Sequence, residues 1–466
     1  MGIPVGAAAV IDRLAGMVGA RVTTARGVLD EHGRSEAYHA NLPPDVVVFP
    51  EATQEVAQIV ALCATAGMPI VAFGAGTSLE GNTAAVAGGL CFDFSRMNRI
   101  LRLNDKDMDV VVQPGITRKQ LNAQLRDTGL FFPIDPGADA SIGGMAATRA
   151  SGTMAVRYGT MKDNVMALEV VLADGRVIRT GRRARKSSAG YDLTRLFVGS
   201  EGTLGIITEV TLKLHPWPQA ISSAVSSFGA LHDAVETAIE IIQSGIPVAR
   251  IELLDEVMMR GINGHFGLAY REAPTLFFEF HGTEAGVAEQ AEFAEATAAE
   301  HGGLGFEWAQ LPEERTRLWH ARDNTLYAGL SLRPGARAMI TDVCVPISRL
   351  AECLVETRRE VDALGMIAPV VGHVGDGNFH MLILIDPANA EEIARAKALH
   401  ARMVARAIAM EGTCTGEHGI GLGKIDFLKD ELGEAVDVMR SIKAALDPLG
   451  LMNPGKIFRS SLEPRT

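Results

Sequence analysis

Gly74-Ala75-Gly76-Thr77-Ser78-Leu79-Glu80-Gly81-Asn82-Thr83 is the stretch whose reading decides the fold. An apolar run at 46–51 precedes it, followed by a helical pattern with Val56, Ile59, Val60 and Cys63 on one face, a stop at Gly67 and a second apolar run at 69–73. Thr53 is the expected N-cap of that helix. Strand, helix and strand within about 30 residues make a βαβ unit, usually parallel. A glycine-rich loop directly behind such a strand can cradle a diphosphate on backbone N–H groups. The loop nearly matches two nucleotide motifs and fails both. The dinucleotide fingerprint needs glycine where Leu79 stands, and the P-loop needs lysine where Asn82 stands. Phosphoryl transfer is therefore disfavoured, and the loop reads as a diphosphate cradle or as a plain turn.

Working outward, a second glycine-rich tract runs from Pro136-Gly137-Ala138 through Ser141-Ile142-Gly143-Gly144 to Ser151-Gly152 and Tyr158-Gly159. A third, Gly199-Ser200-Glu201-Gly202-Thr203-Leu204-Gly205-Ile206-Ile207, leads into a strand ending near Leu214. Between them, 168–173 and 176–180 form a hairpin turned by Asp174-Gly175. Small residues at this density let the backbone approach a flat or phosphorylated ligand, although glycines also simply make turns. His215-Pro216-Trp217-Pro218 is the best domain boundary. Beyond it, helices and alternating strands such as 274–281 suit an α+β domain. No internal repeat is evident.

A candidate reactive site lies in the second half. Gly372-His373-Val374-Gly375-Asp376-Gly377-Asn378-Phe379-His380 is flanked by apolar runs and reads as two strands joined by a two-residue Asp-Gly turn. Counting outward from that turn sets Gly375 opposite Asn378, Val374 opposite Phe379 and His373 opposite His380. Opposed residues hold their Cβ atoms roughly 4.5–5.5 Å apart. Two imidazoles so placed can share a divalent metal, with Glu417 as a third ligand and His418 as a base beside it. A packed or surface pair of histidines is the plainer alternative.

Composition bounds the rest. With 466 residues the chain should hold two or three domains. Its 47% apolar and 21% charged residues are those of a globular protein, and a net charge of −12 argues against nucleic acid as a partner. No apolar run approaches the roughly 18–20 residues of a membrane span. Five scattered cysteines without a Cys-x-x-Cys pair suit a reducing compartment and provide no ferredoxin-type cluster. Asp12 and Arg13 interrupt the apolar N-terminus too early for a signal peptide, and the scarcity of serine there weakens a mitochondrial transit reading, so a cytoplasmic location is expected.

Taken in order, the three tracts resemble the flavin-binding domain of the vanillyl-alcohol oxidase superfamily, and within it the FAD-linked D-lactate dehydrogenase branch of the 2-hydroxy-acid enzymes. The resemblance covers about 44–458. Its most specific elements are 372–380, Cys414-Thr415-Gly416-Glu417-His418-Gly419-Ile420-Gly421, Asp342-Val343-Cys344-Val345-Pro346-Ile347-Ser348 and Met452-Asn453-Pro454-Gly455-Lys456. It implies an α+β fold with a two-part FAD-binding domain of the p-cresol methylhydroxylase type over 1–217, an α+β substrate (cap) domain over 218–419, and a C-terminal segment, 420–466, completing the FAD domain. FAD would be held by Gly74, Ala75, Gly76, Thr77, Ser78 and Leu79 at the diphosphate, and by Pro136, Gly137, Ala138, Ser141, Gly143, Gly144, Ser151, Gly152, Tyr158 and Gly159 along the dinucleotide. Glu201, Gly202, Gly205, Ile206 and Ile207 would complete the groove, and Asn453 would return with the tail. Some relatives tether flavin through a histidine in the first loop; Thr77 and Ser78 stand there in this chain, so binding is expected to be non-covalent. The resemblance also implies metal ligation by His373, His380 and Glu417, a base at His418, and substrate-carboxylate binding by Arg322.

The implied reaction is oxidation of a D-2-hydroxy acid to the 2-oxo acid. A metal on the substrate hydroxyl lowers its pKa, His418 takes the proton and flavin N5 takes the hydride. His373, His380 and His418 would thus all face substrate. Zinc, manganese and iron all suit two imidazoles and a carboxylate. The 2-hydroxyglutarate branch carries polar side chains where Leu382 and Thr341 stand, so D-lactate or an acid with an apolar side chain is favoured, although Arg333 and Arg337 lie close in sequence. Alternatives are D-2-hydroxyglutarate or glycolate oxidation, an FAD-binding electron-transfer subunit of a larger complex, and a metal-dependent hydrolase. Electrons would leave through a quinone, a cytochrome or an electron-transfer flavoprotein. A homodimer is compatible with the sequence.

Overall fold

The computed structural model of the protein describes residues 5–35, 38–309 and 311–459. They divide into two compact units. The first comprises Met1–Ser151, Gly159–Trp217 and Glu417–Thr466, and the second Gly152–Tyr158 and Pro218–Gly416. Two short segments change side relative to the sequence division. Residues 152–158 join the second unit, where Arg157 donates to the carbonyl of Pro247 and Tyr158 Oη lies 2.8 Å from His281 Nδ1. Residues 417–419 join the first, next to Ile420 and Gly421, whose N–H groups bond the carboxylate of Glu201.

In the first unit the two larger sheets carry the core, beside a two-stranded pairing of Leu130–Phe131 with His215–Pro216. Val46–Val48 and Ile70–Phe73 both pair in parallel with Leu90–Asp93, which lies between them, and Val22–Thr23 closes the edge antiparallel. The crossover helix Thr53–Ala66 buries Val56, Ile59, Val60 and Cys63, and ends on Gly67 in the left-handed region (φ 65°). Its N-cap is Ala52 rather than Thr53. The Thr53 hydroxyl instead donates to buried Glu169 at 2.8 Å, a long-range partner that outcompetes the local cap. The second sheet is antiparallel, in the order Ile100–Asn104, Asp109–Val112, Ile206–Lys213, Val165–Val171, Val177–Arg179. The hairpin around Asp174 and Gly175 closes with Leu172 N donating to Arg176 O at 2.9 Å.

The C-terminal tail is part of this unit. Ile70 N donates to Leu451 O and Asn453 N to Ile70 O, both at 2.8 Å. Asn453 Nδ2 donates to Asn82 O and Glu201 O, at 2.9 and 2.7 Å. Glu201 accepts from Asn82 Nδ2 at 2.7 Å, Ile420 N at 2.7 Å and Gly421 N at 2.9 Å. One buried carboxylate therefore joins the loop after the Ile70–Phe73 strand, the third glycine tract and the 417–421 turn. Burial raises its pKa against the pull of these donors.

The second unit is built on an antiparallel sheet in the order Gly303–Ala309, Ala220–Phe228, Thr275–Gly282, Arg250–Leu254, Val370–His373, Asn378–Ile385, Arg337–Ile340. Helices Leu231–Gln243 and Glu284–Glu300 pack against it. Val225, Phe277, Leu254, Val371, Leu382 and Leu384 form a core with Met258, Ile262, Leu318, Trp319 and Ala328 of Glu256–Phe266, Pro312–Asp323 and Thr325–Ser331.

Two outcomes follow. Replacing Glu201 by Gln puts an amide N–H where an acceptor stood among three donors; an unsatisfied buried group costs about 1–3 kcal/mol. Thermal unfolding of Glu201→Gln should show that loss, and an unchanged Tm would contradict the joint. His215 is held neutral, its pKa lowered from 6.5 to about 4 by burial and by Lys213 and Arg185. The unfolded chain takes up that proton first, so the contribution of His215 is present above about pH 6.5 and lost as pH falls towards 4. Tm of the wild type should fall relative to His215→Gln across that window, whereas parallel curves would contradict it.

Candidate active site

The first unit holds a groove of about 1200 Å³ of empty space, its mouth included. Of the sequence-derived cofactor residues, Gly74, Ala75, Gly76, Thr77, Ser78, Leu79, Pro136, Ala138, Ser141, Gly143, Gly144, Glu201, Gly202, Gly205, Ile207 and Asn453 line it. Gly137, Ser151, Gly159 and Ile206 do not. Strand alternation accounts for the last: Ile207 faces the groove while Ile206 enters the core with Ile70 and Met452. Gly152 and Tyr158 lie in the second unit. The Glu201 side chain is held by Asn82, Ile420 and Gly421, so its role here is to shape the wall. Asn82 and Thr83 of the first loop also line the groove, as do Met145 and Thr148 within the second tract, and Phe94 and Pro114, which carried no motif in the sequence.

The lining suits a diphosphate-bearing ligand. Among the described residues, the backbone N–H groups of 75–79 donate to no protein group, and the buried Ser78 Oγ has no hydrogen-bond partner. A run of unspent donors in a glycine loop is an anion cradle. The loop is pressed close to the second tract: a Cβ on Gly74 would lie 2.0 Å from Ser141 Oγ. Glu417 and His418 line the same groove. Their turn is pinned by the bonds from Ile420 and Gly421 to Glu201, and Gly419 takes φ 79° with no room for a Cβ, which would meet Glu201 Oε1 at 2.8 Å.

In the second unit the histidine hairpin differs from its sequence-based register. His373 stands opposite Asn378, Gly372 opposite Phe379 and His380 opposite Val371. A type I′ turn needs positive φ at both central residues. Only Gly377 has it (φ 79°); Val374–Asp376 form a 3₁₀ turn and lengthen the loop to four residues. The slip is two residues, so the face is kept, and His373 and His380 become diagonal neighbours with ring centroids 5.4 Å apart.

Both rings are buried and both are anchored through Nδ1. His380 Nδ1 donates to Thr341 O at 3.0 Å. His373 Nδ1 donates to Glu252, 2.7 Å from Oε1 and 3.0 Å from Oε2. The register Leu254↔Val371 and Leu253↔Gly372 carries on to set Glu252 beside His373. Glu252 also accepts from Arg322 Nε at 3.0 Å and from Arg322 Nη2. Burial pushes the Glu252 pKa up, but Arg322 and His373 outweigh it and hold the carboxylate below its usual range. Arg322 is thus placed next to the histidine pair by an acid that no motif signalled. Asn378 donates to Asp342 Oδ1 at 2.8 Å, and Thr415 Oγ1 to Asp342 Oδ2 at 2.7 Å. Gly416 packs so closely on Asn378 that a Cβ would lie 2.3 Å from Nδ2.

Tyr158, expected along the cofactor, bonds His281 Nδ1, whose Nε2 donates to Glu279 at 2.9 Å. Leu382 sits in the apolar core, Thr341 Oγ1 accepts from Met381 N at 2.9 Å, and Arg333 is paired with Glu392. Among the described residues, no helix is long and apolar enough to cross a membrane.

Comparison with known proteins identifies the family and the fold. Residues 44–181 match the family description "FAD binding domain", and 217–457 match "FAD linked oxidases, C-terminal domain". The chain is 52% identical over 441 residues to a zebrafish (Danio rerio) protein named probable mitochondrial D-lactate dehydrogenase, covering 94% of this chain and 89% of that one. It is 51% identical over 430 residues to an Arabidopsis thaliana protein named mitochondrial D-lactate dehydrogenase [cytochrome], covering 92% and 76%. The solved structure of p-cresol methylhydroxylase superposes with a TM-score of 0.81 over 98% of both chains at 18% identity, which establishes the shared fold. With both halves matched and half its residues shared with relatives along most of their length, the chain belongs to the FAD-linked oxidases and is an FAD-linked oxidoreductase.

Proposed function

We propose that the protein oxidises D-lactate, or a D-2-hydroxy acid with a similarly small apolar side chain, to the 2-oxo acid, with FAD in the first unit and a divalent cation held by His373, His380 and Glu417. The observation that supports the reading is that Glu417 and His418, the candidate carboxylate ligand and base, line the same groove as the glycine loops. The printed names of the zebrafish and Arabidopsis relatives support D-lactate as substrate.

When bound, FAD supplies a two-electron acceptor, and the cation polarises the substrate hydroxyl. The protein's own groups do the rest. His418 accepts the hydroxyl proton. Arg322, with Nε and Nη2 on Glu252, leaves Nη1 for the substrate carboxylate and so orients C2. The two imidazoles suit a cation because both direct Nδ1 at an acceptor, so that Nε2 is the nitrogen each would turn to a metal. Gly416, packed on Asn378, is bonded directly to Glu417, so the third ligand follows the hairpin's neighbouring segment in the chain. Zinc, manganese and iron fit this donor set alike.

Leu382 and Thr341 are engaged in the core and in the backbone ladder, and Arg333 is paired, which favours a substrate without a distal carboxylate. A quinone, a cytochrome or an electron-transfer flavoprotein would take the electrons; the name of the Arabidopsis relative favours a cytochrome. All five cysteines are free, which suits cytoplasm and mitochondrial matrix equally; the two relatives are named mitochondrial.

The test is His418→Ala. Its flavin and metal content should equal those of the wild type, while the rate of flavin bleaching by D-lactate falls by about 10²–10⁴-fold, the range of a positioned base. Wild-type bleaching in that variant would remove His418 from the reaction.

A further inference from the structure

Glu252 has no part in the motifs that led to the site, yet it is buried and in contact with two residues of the proposed machinery. Its carboxylate divides between Arg322 and His373. We propose that Glu252 is the positioning residue of the metal site. By accepting the Nδ1 proton of His373 it fixes the ring's tautomer and orientation and raises the basicity of the ligating Nε2, and by bonding Arg322 it sets the carboxylate-binding arginine against the same anchor. The inference rests on the metal reading above.

The geometry favours this over a purely structural ion pair. An Arg–Glu pair serving the fold alone would need no third partner, but both oxygens of Glu252 lie within hydrogen-bond distance of His373 Nδ1. The sheet register itself holds the acid beside that ring, on the adjacent strand. His380 Nδ1 donates to the carbonyl of Thr341, and Asp342 Oδ1 stands 3.7 Å from it, beyond hydrogen-bond distance. The carboxylate that is directly hydrogen-bonded to a histidine Nδ1 is therefore the one on His373. Loss of a carboxylate partner of this kind typically lowers metal affinity by about 10–100-fold.

The experiment titrates Mn²⁺ into chelator-treated, FAD-loaded protein and follows free Mn²⁺ by electron paramagnetic resonance. Wild type, Glu252→Gln and Arg322→Gln are compared, each with its flavin absorbance and Tm. Glu252→Gln should keep its flavin and bind Mn²⁺ about 10–100-fold more weakly, whereas Arg322→Gln should keep an affinity near wild type, since His373 retains its acceptor. Wild-type affinity in Glu252→Gln would overturn the proposal. Equal weakening in both variants would also overturn it, because the ion pair alone would then be responsible. Failure of the wild type to bind Mn²⁺, Zn²⁺ or Fe²⁺ would instead sink the metal reading itself, and this proposal with it. Should Glu252→Gln yield no folded flavoprotein, Glu252→Asp, which keeps the charge but draws it back by one methylene, is read in the same titration against the same outcomes.

Discussion

The first unit depends on the carboxylate of Glu201. Three donors converge on it, from Asn82 and from the backbone of Ile420 and Gly421, while Asn453 bonds its carbonyl. These partners come from the first glycine loop, the 417–421 turn and the tail, the first of which lies more than 300 residues before the other two. A buried carboxylate is tolerable only when its lone pairs are satisfied, so the three segments are obliged to meet. The cofactor groove and the placement of Glu417 and His418 on its wall are consequences of that meeting. Lys456, buried with its Nζ on Ala84 O and Asn453 Oδ1, adds a nearby positive charge; burial lowers its pKa to about 7 despite Glu201.

In the second unit the comparable constraint is strand register. Side chains alternate faces with a period of two, so a slip of two residues leaves every side chain on its face, whereas a slip of one would have moved His373 or His380 to the other side. That both histidines share one face was therefore legible in the sequence, even though their direct pairing and the turn type were not. Asp-Gly suggested a two-residue turn; the 3₁₀ turn at Val374–Asp376 instead leaves positive φ to Gly377 alone. The α+β class and the glycine tracts were legible for a similar reason, since both rest on local periodicity and on where the backbone must turn.

What escaped the sequence depends on distant pairing. Glu252 is far from His373 in the chain and becomes its partner only because two strands lie side by side. Thr53 looked like a helix cap until Glu169 claimed its hydroxyl. Tyr158 sat within a glycine tract of the cofactor type, yet its segment docks in the second unit through His281 and Pro247. In each case a side chain with a plausible local role was taken up by a long-range acceptor that no window of sequence contains.

The most direct measurement is an anaerobic visible spectrum of the purified flavoprotein with D-lactate and with L-lactate, taken as isolated, after chelation and after restoring a divalent metal. The account requires bleaching of the oxidised flavin band by D-lactate alone, its loss on chelation and its return with metal. A flavin band that D-lactate leaves unchanged in the metal-replete protein, or bleaches equally after complete chelation, would contradict it.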